Sequence, residues 1–387
     1  MDYSSGRFER LTIRGFRRLL DVSLELRPLT VLIGANGCGK TSVLDVLAML
    51  SSSAQEKLGS AISDLSGLSS VLTYDRADEL EVGLTSEISK ADTLSYWLKL
   101  RPRGVGYVIQ FEQLIEQQAP EWKHQLHLTA YEGGDISYFD PGRNLLSAVT
   151  WTHKQPETAL SQTPKMFPAP EGFRRRLATS TSYQILRVDR RSPVRLPQPM
   201  TPAELPGKDG EDLISCLYSM RETNRDRFEA VEDTLRVAFP GFERLEFPAV
   251  AAGTLGLGWR ERGVSKSFYA HQLSEGRLRF LWLTALLQSP GLTPLTLLDE
   301  PDVSLHPQLI SLLVDQFREA SLRSQLIVAT HSDTLIRFLR PEEVVVCDAD
   351  DDGMTTLTRA DKLDLDDWLK DYSLDELWRN GRLGARS

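Results

Sequence analysis

Residues 34–42 read GANGCGKTS and follow the apolar run TVLI. Gly34, Gly37 and Gly39 remove Cβ atoms from a turn, so that successive backbone N–H groups can converge on one anion. The apolar positions Val43, Leu44, Val46, Leu47 and Leu50 that follow have helical spacing. A helix starting there would turn its positive end toward the same anion. Lys40 adds an ammonium, and Thr41 a hydroxyl for a divalent cation. Ala35, Asn36, Cys38 and Ser42 complete a stretch that fits G-x-x-x-x-G-K-[ST]. The chemistry called for is the cradling of a triphosphate such as ATP, with Mg²⁺ on Thr41.

Three later segments carry complementary groups. LTLLDEP at 295–301 is an apolar strand ending in Asp299 and Glu300. Asp299 suits Mg²⁺, and Glu300 is placed to orient and deprotonate an attacking water. VATHSDTLI puts His331 just past another apolar run. QLSEGRLRFLWL offers a serine, Ser274, and a glycine, Gly276, at the start of a helix, which makes a second anion site.

The elements that must position these groups alternate. Residues 8–33 read as short strands with charged turns, and TVLI leads into the glycine loop. From residue 268 a helix (LSEGRLRFLWLTALL), a strand (LTLLDE), a helix (PQLISLLVDQFREA) and a strand (QLIVATHS) follow in turn, with EVVVCD as a further strand. Such alternation predicts an α/β fold with a parallel sheet and flanking helices. Residues 51–265 form an inserted α+β region, with strands expected near ELEVGLTSEI and VGYVIQF and a helical run over EDLISCLYSMRETNRDRFEAVEDTLRVAF. Nine of the twenty prolines fall between Pro156 and Pro206, which argues against long regular elements there. The expected organisation is a head split into 1–50 and 266–350, the insertion between them, and a tail over 351–387 that ends in a short amphipathic helix.

Leu273, Ser274, Glu275, Gly276 and Arg277 resemble the signature of ABC-type ATPases. The full order of glycine loop, long insertion, signature, DEPDVSLHP and ATHS is similar to the RecF/OLD branch, relatives of the SMC heads. The resemblance spans roughly residues 8–50 and 210–384. It implies a P-loop NTPase with an ABC-type head, catalytic roles for Lys40, Glu300 and His331, and a homodimer in which Ser274 and Gly276 meet the γ-phosphate held by the opposite copy. It also implies work on DNA or, as the alternative, control of a separately encoded nuclease in a two-gene anti-phage system. An importer subunit fits less well, because the glutamine loop has no clear counterpart beyond Gln110. No long coiled coil is legible in the insertion, and the tail is too short for the nuclease domain of OLD proteins.

Composition sets outer bounds. A formal net charge of -9 provides no bulk positive field for nucleic acid. DNA contact would have to come from local clusters: Arg14, Arg17 and Arg18; Arg174, Arg175 and Arg176; or Arg187, Arg190, Arg191 and Arg195. DADDD at 348–352 reads as a solvated turn, and Trp368, Leu374, Leu377 and Trp378 as packing residues. Three scattered cysteines, no leader pattern and no membrane-length apolar stretch lead to the expectation of a cytoplasmic protein without membrane contact.

Overall fold

The computed structural model describes residue 3 and residues 6–89, 92–118, 123–140, 142–149, 151–363 and 373–380. The chain divides into two compact units. One comprises Met1–Thr181, Pro341–Tyr372 and Leu377–Ser387, and the other Ser182–Arg340 and Ser373–Glu376.

In the first unit, strands β1 (Phe8–Phe16) and β2 (Leu19–Glu25) form a hairpin with Ile13 opposite Val22. Strand β3 (Leu29–Ile33) is buried at every position and leads into the glycine loop and helix α1 (Lys40–Ser53). A meander of β4 (Leu80–Glu87), β5 (Thr93–Arg103), β6 (Gly106–Gln118), β7 (Lys123–Tyr131), β8 (Ser137–Asp140) and β9 (Leu145–Ala148) follows. Its strands join the hairpin in one antiparallel sheet ordered β2-β1-β4-β5-β6-β7-β8-β9. Leu94, Tyr96, Leu98 and Leu100 of β5 are wholly buried, as period-two alternation on a covered face requires. Strand Val344–Ala349 runs parallel to β3, pairing Val345 with Leu32, and Thr355–Arg359 returns antiparallel beside it.

The proline-rich stretch departs from expectation at one place. An eleven-residue helix, Pro168–Ala178, forms inside it. Pro168 and Pro170 both lie in its first turn, where backbone N–H groups have no intrahelical acceptor, so the missing donors cost nothing. Phe173 on this helix packs on Tyr96, ring centroids 5.6 Å apart.

In the second unit, the long helical run is two helices, Leu213–Thr223 and Arg225–Ala238, separated at Asn224, whose φ of -139° is not helical. The signature helix (Glu275–Gln288), the acidic strand (Leu295–Asp299), the helix Pro307–Ser321 and the histidine strand (Gln325–Thr330) fall where periodicity places them. The acidic and histidine strands pair in parallel, with Leu297 opposite Ile327 and Asp299 opposite Ala329.

The helix Leu374–Arg379 buries Leu374 and Leu377, as packing residues should; Trp368 lies outside the described residues. The acidic turn closes on itself: Asp350 accepts the Asp352 and Met354 N–H groups, and Asp352 pairs with Arg76 at 3.2 Å. Among the described residues no group of His, Cys, Asp or Glu is arranged to hold a metal by itself, and no helix is long and apolar enough to cross a membrane.

Candidate functional site

The glycine loop in the first unit is fixed by close approach. A Cβ on Gly34 would lie 2.4 Å from both Cys347 O and Cys38 Sγ, and one on Gly39 would lie 2.6 Å from Thr355 Oγ1. Gly37 and Gly39 have φ of 79° and 104°, the left-handed region that glycine enters freely. Thr355 Oγ1 donates to Cys38 O at 2.8 Å, which pins the loop to the neighbouring strand. Asn36, Gly37 and Thr41 are exposed, and α1 begins without a side-chain cap, so its first N–H groups remain available to an anion.

Lys40 Nζ donates to Gly34 O at 2.7 Å and to Ala35 O at 2.9 Å, which holds the ammonium against the loop. The Cys347 thiol hydrogen-bonds to Cys38 and, with the charge of Lys40, pushes the Cys38 thiol down to about 6 against the opposing effect of burial. Arg17 reaches α1, donating to Asp45 at 2.6 Å and to Ser42 Oγ at 3.3 Å.

In the second unit, Glu300 leaves the acidic strand in the left-handed region, φ 52°, with its N–H on Ala329 O at 2.8 Å. That kink turns a residue of the strand end toward the histidine strand. His331 Nδ1 stands 2.5 Å from Glu300 Oε2, at ion-pair distance but out of hydrogen-bond alignment. His331 is half exposed and Glu300 largely covered. Thr330 Oγ1 donates to buried Asp302 at 2.8 Å and accepts the Ser332 N–H at 3.0 Å, which fixes the backbone on both sides of His331.

Ser274 caps the signature helix with its side chain accepting from Arg277 N. Ser274 and Glu275 are exposed. A Cβ on Gly276 would meet only Ser304 O, at 3.2 Å. Arg277 is turned away, paired with Glu261 at 2.8 Å and stacked over Trp259. Gln110 sits at a bulge of β6, skipped between Ile109 and Phe111 in the pairing with β5.

The model for the family described as "AAA domain, putative AbiEii toxin, Type IV TA system" matches residues 29–337. The chain belongs to this AAA family. Two solved structures share its fold over almost its whole length. One, an Smc head bound to the C-winged helix domain of ScpA, is 18% identical with a TM-score of 0.53, covering 91% of this chain and 97% of that one. The other, an Smc head domain with an extended coiled coil bound to the C-terminal domain of ScpA from Pyrococcus furiosus, is 14% identical with a TM-score of 0.50, covering 98% and 99%. No curated protein matches. The fold is therefore that of a P-loop ATPase with an ABC-type, SMC-like head.

The donors suit the groups such an ATPase takes. The close approaches at Gly34 and Gly39 leave bare backbone of the kind a phosphate fits, while the Thr41 hydroxyl and Asp299 carboxylate are hard oxygen donors of the kind Mg²⁺ prefers. Within each unit the expected residues are gathered: Gly34 to Ser42 in the first, Glu300 with His331 in the second. Asp302 and Thr330 lie within DEPDVSLHP and ATHS but had no role assigned from sequence, and Arg17 was read only as part of a basic cluster.

Proposed function

We propose that this ATPase binds ATP with Mg²⁺, hydrolyses it, and works as a dimer in which two copies share two nucleotides, in DNA maintenance of the RecF kind. The Glu300–His331 approach at 2.5 Å carries the catalytic part of the reading. A carboxylate beside an imidazole, on a backbone kink that costs about 1–3 kcal/mol for a residue with a Cβ, is the arrangement of a base and its partner. Lys40 and the loop N–H groups would hold the β- and γ-phosphates, and Glu300 would take the proton of the attacking water while His331 steadies it. Mg²⁺ on Thr41 and Asp299 would neutralise charge on the phosphates. The exposed Ser274 at a helix N-terminus supports the shared site, since it is free to meet a phosphate of another copy.

The family description favours a second reading, the ATPase half of a two-gene defence system with a separate effector. Co-purification with a neighbouring gene's product, together with indifference to DNA, would select it.

The test is Glu300→Gln. It should lower turnover by about a hundredfold or more, as expected for loss of a general base. It should keep ATP bound and give a dimer in light scattering with ATP and Mg²⁺. A monomer under those conditions removes the shared-site mechanism.

A further inference from the structure

The signature serine is delivered by a short, partly exposed segment in which Ala270 and Leu273 are buried and Ala270 N–H bonds to Leu257 O at 3.1 Å. A two-residue strand, Phe268–Tyr269, leads into a single 3-10 turn, Ala270–Gln272, and then Leu273 and Ser274. His271, Gln272 and Ser274 are exposed, and the Tyr269 ring stacks on His271, ring planes 5° apart. Within the turn the Leu273 N–H bonds to Ala270 O at 3.2 Å, whereas the His271 and Leu273 carbonyls take donors from a distant side chain.

Arg195 supplies them from far upstream in the sequence. Its Nη1 donates to Leu273 O at 2.8 Å, His271 O at 3.3 Å and Ala270 O at 3.4 Å, while Nε donates to Val188 O at 2.6 Å. One guanidinium thus ties its own loop to three carbonyls of the delivery segment, the last of them on the residue directly before Ser274. The anchor is itself secured. Arg195 N–H bonds to Ser192 O, the Ser192 hydroxyl donates to Asp189 at 2.7 Å, and Gln198 Nε2 donates to Pro193 O and Gly210 O. A second arginine braces the same region from the other side, for Arg279 of the signature helix donates to Leu186 O and Val303 O.

Among the described residues no carboxylate pairs with Arg195. Its charge therefore stays uncompensated beside a helix N-terminus, where an anion gains from it. A planar, permanently charged fork holds Nε on one loop and Nη1 on another in a fixed geometry, a span that the single ammonium of a lysine lacks.

We propose that Arg195 is a positioning residue for the signature: it sets where Ser274 and the first N–H groups of the signature helix stand when they meet a triphosphate held by a second copy. The assignment rests on the shared-site reading above. It acts on assembly, since the hydrogen bonds of Arg195 go to the signature segment and its own loop while Lys40 is held by the glycine loop.

The experiment places Arg195→Ala and Arg195→Lys in the Glu300→Gln protein. Dimerisation is followed by light scattering and sedimentation with ATP and Mg²⁺, and nucleotide affinity by a fluorescent ATP analogue at protein concentrations where only monomer exists. Arg195→Ala should weaken the ATP-dependent dimer at least about tenfold while monomer affinity changes less than about twofold; Arg195→Lys, which keeps the charge but loses the fork, should recover only part of the loss. Dimers as tight as those of the Glu300→Gln parent overturn the proposal. So does a parallel drop in monomer nucleotide affinity, or a lysine variant that melts like its parent and dimerises fully. If the Glu300→Gln parent alone forms no dimer, the shared-site reading falls and takes this role with it, an outcome separable from a clamp that is merely unimportant.

Discussion

One hydroxyl, that of Thr330, links buried Asp302 to the backbone of Ser332 and so brackets His331. Thr330→Val keeps the shape of the strand and removes both bonds. It leaves the Asp302 carboxylate, 6% exposed, short of a donor, at a cost of about 1–3 kcal/mol in stability. With His331 less firmly held, turnover should fall about tenfold while ATP affinity moves less than twofold, the pattern of an interaction needed in the transition state. Steady-state kinetics beside a nucleotide titration checks this, and equal losses in both would assign Thr330 to folding alone. Lys40, Thr41, Asp299, Glu300 and Ser274 could be proposed from sequence because each belongs to a short motif whose spacing is local. Asp302 and Thr330 could not, because their meaning depends on a contact across 28 residues of chain.

At the level of elements, the strand β6 shows why the antiparallel sheet was hard to foresee. Glu112 and Glu116 on it are each 1% exposed, so the polar half of its alternation does not mark a solvent face. Glu116 meets His127 at 2.6 Å, and Glu112 accepts from Ala159 N, Leu160 N and Tyr96 OH. Burial nonetheless pushes the Glu112 carboxyl up to about 7 from an ordinary 4.5, against those hydrogen bonds. The folded protein therefore keeps a proton between those values that the unfolded chain has released. Stability falls as pH rises through this window and levels off above it. Between pH 5 and 8 the loss attributable to Glu112 should be about 2–3 kcal/mol. Glu112→Gln stays neutral throughout, so the stability gap between wild type and variant in urea should shrink over that range. A constant gap would mean that Glu112 is already ionised at pH 5. By contrast, the helices and strands of 275–330 were read almost to the residue, since apolar runs of strand and helix period alternate there and the buried Asp302 falls in a loop between them.

For the molecule as a whole, a net charge of -9 means that any DNA contact depends on where a few cations are left unneutralised. Folding removes half of the arginines that sequence offered. Arg14 pairs with Asp21 and Glu81, Arg17 with Asp45, and Arg174 with Glu171. Arg176 is buried over Phe8 and Phe173, and Arg195, though it keeps its charge, has its guanidinium turned onto carbonyls rather than outward. Arg187, Arg190 and Arg191 remain exposed within nine residues of Arg195, on the loop that holds the signature segment. This patch is where the DNA-maintenance reading can be tested most directly. Replacing all three with alanine should weaken duplex binding and, at about 0.9 per phosphate contact, reduce the slope of log affinity against log salt by about 3. ATP-dependent dimerisation should survive, because among the described residues none of the three side chains hydrogen-bonds or ion-pairs with the signature. Binding measured by fluorescence anisotropy from 50 to 300 mM salt decides the matter. An unchanged slope would move any DNA contact elsewhere, whereas wild-type protein that ignores duplex, nicked and single-stranded DNA with ATP present would leave the two-gene defence reading as the one to pursue.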